Sequence, residues 1–150
     1  LTIVGNVNLD MVMLLRPVRA VIAFGAEHSS LGPVMEWAAR LQGLQVVPDP
    51  MPREVLFIRS DQFSFVQQGV PAVFPVAAGD GTLATMELSR DWNRDHYHAP
   101  SDDMSQAFDW PSAERFTRMA ALAVWRTAHD AARPRWNDGD FFGRRFGPRR

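Results

Sequence analysis

The hydrophobic period of the chain changes between residues 19 and 43, and that change limits the folds open to it. Residues 19–26 (RAVIAFGA) are a short apolar run with β-branched members, which reads as a core strand. Glu27, His28, Ser29 and Ser30 lead out of it, with His28 as a turn residue. Leu31, Val34, Met35, Ala38 and Leu41 then recur at helical spacing, and Gly43 is the stop. The same alternation repeats downstream. Residues 55–58 read as a short strand. Ser60 and Asp61 open a brief helix to about residue 68, with Gly69 closing it. Residues 71–77 read as the next strand, where Pro75 argues for an edge position or a bulge. Asp109-Trp110-Pro111 starts a final helix whose face is Phe116, Met119, Ala120, Ala123 and Thr127, with Pro134 as its stop. Strands alternating with helices predict an α/β fold, a three-layer sandwich with a mostly parallel or mixed central sheet flanked by helices.

Residues 2–15 extend the pattern at the start. Asn6, Asn8 and Asp10 alternate with Val7, Leu9 and Met11, the period of two of a strand with unlike faces. Asp10 is expected near the end of a largely buried strand, where a carboxylate needs a partner. Two readings stand side by side. One is a salt bridge to Arg16 or Arg19. The other is a ligand at the carboxyl end of an α/β sheet, where sites in open sheets gather. Residues 46–54 carry three prolines and read as an exposed connection. Residues 78–94 lack clear periodicity and read as a long loop.

Composition removes several chemistries. There is no cysteine, so disulfides, thiolate zinc sites and Cys nucleophiles are excluded together. All 16 basic residues are arginine, which excludes Schiff-base and Walker-type phosphate chemistry. No Gly-x-Ser-x-Gly elbow occurs. A net charge of −1 sets up no field toward nucleic acid or membrane, and no apolar run reaches spanning length. No nucleic-acid partner is expected. The residues at 135–150 interleave Arg with Phe141, Phe142 and Phe146. Asp138 and Asp140 dilute that charge, so the aromatics are expected to pack back onto the domain and the last arginines to be disordered. The chain thus divides into a domain at 1–134 and an Arg/Phe-rich tail at 135–150.

What remains is carboxylate and imidazole. Asp95-His96-Tyr97-His98-Ala99-Pro100-Ser101-Asp102-Asp103 packs two imidazoles, a phenol and three carboxylates together. Pro100 fixes its own φ and pushes Ala99 toward an extended conformation, so the stretch reads as a loop that presents side chains. One reading is metal binding, with carboxylates holding the imidazole tautomer. The other is a solvated loop whose aspartates cap the next helix.

Three segments carry a resemblance. Asn8-Leu9-Asp10-Met11-Val12, Arg59-Ser60-Asp61-Gln62-Phe63-Ser64-Phe65 with Gly69-Val70-Pro71-Ala72, and Tyr97-His98-Ala99-Pro100-Ser101-Asp102 resemble, in order, motifs from the second half of the bimetallic zinc aminopeptidases. That family (peptidase clan MH) includes glutamate carboxypeptidases, glutaminyl cyclases and catalytically dead transferrin receptors. The resemblance implies that Asp10 binds one zinc ion and His98 the other. It implies an oxyanion-stabilising role for Tyr97, and it places Ser60, Asp61, Gln62 and Asp102 beside the site. It further implies peptide hydrolysis by metal-activated water, with a Glu as general base. It favours an extracytoplasmic location, periplasmic or secreted.

The chain departs from that pattern in two places. Gln62 stands where the family has the His of Ser-Asp-His. The family's upstream His-x-Asp motif and Glu-Glu pair have no counterpart, and neither Glu27 nor Glu36 lies beside a second Glu. The chain also opens at Leu1 inside an apolar run. The expectation is therefore the C-terminal part of a longer metallopeptidase, an incomplete version of the full peptidase domain. Two zinc ions are expected in the parent, with weak or absent zinc binding and no activity in this part alone. An exposed sheet edge is expected to favour self-association. The alternatives are a non-catalytic interaction or scaffold domain, or a glutaminyl cyclase-like acyltransferase.

Overall fold

The computed structural model of the chain describes residues 2–12 and 14–148. Four strands form one sheet: β1 (Asn6–Val7), β2 (Ala20–Phe24), β3 (Gln45–Val47) and β4 (Ala72–Ala77). Their order is β1-β4-β2-β3. β2 pairs parallel with β3 and antiparallel with β4, while β1 pairs parallel with β4, so the sheet is mixed. Five helices accompany it: α1 (Leu31–Leu41), α2 (Gln62–Gln67), α3 (Leu83–His96), α4 (Trp110–His129) and α5 (Phe141–Phe146).

The layers follow from alternation along β2. Val21 and Ala23 point into a cluster with Leu31, Met35, Phe116 and Met119, from α1 and α4. Ala20, Ile22 and Phe24 point the other way, into a cluster with Phe57, Val66 and Phe74. Phe142 and Phe146 of α5 pack onto that second cluster. A strand buried on both faces must be apolar throughout, which is why residues 20–24 read as an unbroken run. Burying a side chain such as Met35, Phe116 or Met119 contributes roughly 1.5–3 kcal/mol each. The expected α/β sandwich is thus present, with α1 and α4 on one face and α2 and α5 on the other.

The start of α4 is tied to the chain entering β2. The Ser112 hydroxyl accepts from Val18 N at 2.8 Å, and Arg115 donates to the Val18 carbonyl at 2.9 Å. Asp109 caps the helix by accepting from Ser112 N at 2.9 Å. Ser112, through its hydroxyl first and its N–H second, holds the Asp109 carboxyl below its ordinary value. A carboxylate lowered in the folded state contributes stability at neutral pH that is lost as pH falls through its folded value. Protection of the Ser112 and Ala113 amides, taken relative to their intrinsic exchange rates, is therefore expected to fall as pH drops below the ordinary Asp value of about 3.9, and an Asp109→Asn variant to lack that step.

Several expectations need correcting. The strand expected over 2–15 is reduced to Asn6–Val7, because β4 offers partners only at Ala72 and Val73. Asp10 therefore lies beyond the strand and is exposed. Met13 of that run lies outside the described residues. Residues 45–47 pair with β2 before the prolines begin, so part of the expected connection is a strand. Residues 55–58 form no strand. Val55 takes φ +51°, which turns the chain into a 3-10 turn at Leu56–Ile58. The loop expected over 78–94 is mostly α3, capped by the Thr82 hydroxyl accepting from Thr85 N. Apolar positions at Ala84, Leu88 and Trp92 recur four apart in this helix but stand among many polar and charged residues, so the stripe is faint in the sequence.

Pro75 sits on an interior strand, yet the expected edge is there locally. Register pairs it with Ala23 of β2, and hydrogen bonding from Ala78 N to Ala20 O sets the alternation. That parity turns the Pro75 nitrogen toward the side where β1 has already ended. α4 ends at His129, five residues before Pro134. The aromatics after residue 134 do pack back, and Trp136 Nε1 donates to the Gly69 carbonyl at 3.0 Å. The expectation for the last arginines falls on Arg149 and Arg150, outside the described residues.

Candidate functional site

Asp10, Ser60 and Gln62 come together just past β1. The backbone N–H of Asn8 donates to Val73 O at 2.9 Å, which carries the strand's direction one residue further. From there the chain delivers Asn8 and Asp10 on the same parity. The Ser60 hydroxyl donates to Asp10 Oδ2 at 3.0 Å. Asn8 Nδ2 donates to Gln62 Oε1 at 2.8 Å and lies 3.3 Å from Ser60 Oγ. Gln62 Nε2 donates to the Phe57 carbonyl at 2.6 Å.

The network runs from the interior to the surface. Gln62 is fully buried, Asn8 and Ser60 are partly buried, and Asp10 is exposed. Its direction is fixed by chemistry. The Phe57 carbonyl can only accept, so the amide nitrogen of Gln62 faces it and the amide oxygen faces Asn8. Ser60 occupies one oxygen of Asp10, and among the described residues nothing hydrogen-bonds the other, which is open to a cation or a donor. Arg16 and Arg19 make no ion pair with Asp10 among the described residues.

The change at position 62 has a physical reading in this geometry. The site asks for one donor and one acceptor, at Phe57 and Asn8. A neutral imidazole offers that pair, and a primary amide offers it too. Gln62 supplies it without a titration.

The second predicted segment lies at the end of α3. Asp95 and His96 belong to the helix, so the loop begins two residues later than expected. Tyr97 and His98 are exposed, with their rings stacked at 3.8 Å. His98 has φ +58°, and Met11, next to Asp10, has φ +49°. Left-handed backbone at residues other than Gly costs energy and concentrates at functional positions. No carboxylate hydrogen-bonds His98 among the described residues. His96 Nδ1 is 2.8 Å from Ser101 Oγ, and Asp95 pairs with Arg94 through both oxygens at 2.8 and 2.9 Å. Arg94 is what holds the Asp95 carboxyl below its usual range. Asp103 is held low by Ser105. Asp61 and Asp102 are exposed.

The structure thus joins Asp10, Ser60 and Gln62. No hydrogen bond or ion pair links them to Tyr97, His98, Asp61 or Asp102 among the described residues. Nor do the described residues contain a group of three His, Asp or Glu side chains placed to hold one metal ion. The donor set in this chain does not by itself fit a metal centre. Asn8 was missed by sequence reasoning, although its shared parity with Asp10 was the available signal. The Phe57 carbonyl, a backbone atom, left no signal.

The fold is an α/β sandwich, and it carries a hydrogen-bonded carboxylate beyond the end of a sheet strand. The model of Peptidase family M28 matches residues 1–124, and the chain belongs to that family. No curated protein and no solved structure matches it.

Proposed function

We propose that this chain is the part of an M28 metallopeptidase that contributes Asp10 and His98 as ligands to two zinc ions, and Tyr97 as an oxyanion donor, in an aminopeptidase. The remaining ligands and the general base come from elsewhere in a longer chain. The observation that carries this reading is the network holding Asp10. A carboxylate aimed by Ser60, with a buried amide behind it, has the support that outer partners give to metal ligands. The left-handed backbone at Met11 and His98 points the same way. Bound metal would supply a Lewis acid and an activated water. This chain's residues supply position: Ser60 fixes one Asp10 oxygen, and the turn after α3 presents Tyr97 and His98 to solvent.

The test is zinc titration and an aminoacyl-anilide assay on the full-length protein. Losing an outer partner of a ligand costs roughly 10–100-fold in metal affinity, so Asp10→Ala and His98→Ala are each expected to cost more than about 100-fold, with activity abolished. Unchanged zinc binding in His98→Ala removes the assignment. A second reading, a peptidase-like domain without catalysis, is favoured by the lack of a three-ligand group among the described residues. Full-length protein that binds no zinc would select it.

A further inference from the structure

Residues 135–146 lie outside the family-matched segment, and they are seated with unusual specificity. Ser30 N donates to Arg135 O at 2.9 Å, and Arg135 N donates to the Ser30 hydroxyl at 3.0 Å. Asn137 N donates to the His28 carbonyl at 2.9 Å. Asp140 uses both oxygens: Oδ1 caps α5 through Phe142 N and Gly143 N, and Oδ2 lies 2.7 Å from His28 Nδ1. The Phe142 ring stands edge-on to His28 at 4.7 Å and to Phe57 at 5.3 Å.

Phe57 is where this seat meets the candidate site. Its ring packs against both His28 and Phe142, at 5.3 Å from each, and with 4.7 Å between those two the three rings form a triangular cluster. Its carbonyl receives the Gln62 amide that anchors Asn8, Ser60 and Asp10. Phe57 precedes Ser60 by one 3-10 turn, so a shift of its ring moves the backbone that bears Ser60 and Gln62. Interiors are close-packed and transmit strain, so displacing one ring of this cluster displaces its neighbours.

We propose that the segment 135–146 is a positioning element for Asp10. By wedging Phe57 from outside, it fixes the buried end of the hydrogen-bond network whose other end is the Asp10 carboxylate. This rests on the reading of Asp10 as a ligand only for its functional consequence; the mechanical coupling stands apart from it. His28 and Asp140 are the polar lock of the wedge, and Phe142 is its edge.

The experiment uses the full-length protein with Phe142→Leu, and Trp136→Phe as a milder variant that removes the hydrogen bond to Gly69 and part of the indole packing. The readout is hydrogen exchange of backbone amides 57–62 and of the Asn8 and Gln62 side-chain amides. Amides of α1 and α4 serve as the internal reference. Exchange at 57–62 and at Gln62 is expected to rise about tenfold or more in Phe142→Leu, and by less in Trp136→Phe, with α1 and α4 unchanged. Exchange that stays at the wild-type rate, or rises equally everywhere, overturns the proposal. Zinc titration of the same variants separates the two readings. Loosened exchange with wild-type zinc affinity, in a protein that Asp10→Ala cripples, overturns the functional half of the proposal. Loosened exchange in a protein whose zinc binding ignores Asp10→Ala leaves the wedge standing and removes the ligand assignment.

Discussion

Gln62→Leu is expected to destabilise the protein by about 1–3 kcal/mol, because it strands the buried Phe57 carbonyl and removes one of the two contacts of the partly buried Asn8 amide. The partners are the Phe57 carbonyl and the Asn8 amide, at 2.6 and 2.8 Å from the glutamine. Leucine is close in size, so cavity formation contributes little and the loss reports the polar network. A denaturant titration measures it. Gln62→His is the informative companion. Neutral histidine restores one donor and one acceptor, whereas the imidazolium has two donors and nothing to offer Asn8. Burial beside a donor disfavours the charged form, so this variant's stability is expected to rise with pH through about 6.5 and level off above it. The wild type has no such step from this position. A stability loss under about 0.5 kcal/mol in Gln62→Leu would mean that the amide is not satisfied as described.

Gly25→Ala is expected to be comparably damaging, for a steric reason. Gly25 has φ +86°, and a Cβ there would lie 2.1 Å from Phe57 Cε2 and 2.6 Å from Cζ. The left-handed conformation costs about 1–2 kcal/mol for alanine, and displacing a packed ring adds about 1–3. The sum, about 2–5 kcal/mol, is readable as a fall in Tm of roughly 2–4 °C per kcal/mol. Gly43→Ala is the control, since Gly43 is also left-handed at φ +66° but has nothing within 4 Å of the added Cβ. It should show the conformational cost alone. Equal losses at the two positions would mean that the Phe57 ring gives way freely.

The parts of the fold that were legible in the sequence are those whose burial is one-dimensional. β2 reads as a continuous apolar run because both its faces are covered, and α1 reads as a stripe because one face is. Neither α3 nor β3 announces itself. α3 carries only a narrow apolar spacing at Ala84, Leu88 and Trp92 among many charges, and its Thr82 cap leaves no periodic signal. β3 is three residues long and runs straight into prolines. The turn at Leu56–Ile58 looks like a strand because its residues are apolar; the left-handed Val55 that redirects it is a tertiary outcome. At the site, Asp10 and Ser60 were marked by residue type and order, and their contact at 3.0 Å joins positions 50 residues apart. The pairing of His28 with Asp140 spans 112 residues and was invisible for the same reason.

That last separation bears on how the chain comes together. The bonds made by Arg135, Trp136 and Asp140 reach back 105, 67 and 112 positions. Loops of this length close at an entropic cost that grows only slowly with span, but contacts of such high sequence separation slow folding. During synthesis the phenylalanines at 57 and 63 wait uncovered until residues 135–146 leave the ribosome, and a nascent chain halted before that point would expose this greasy surface to chaperones.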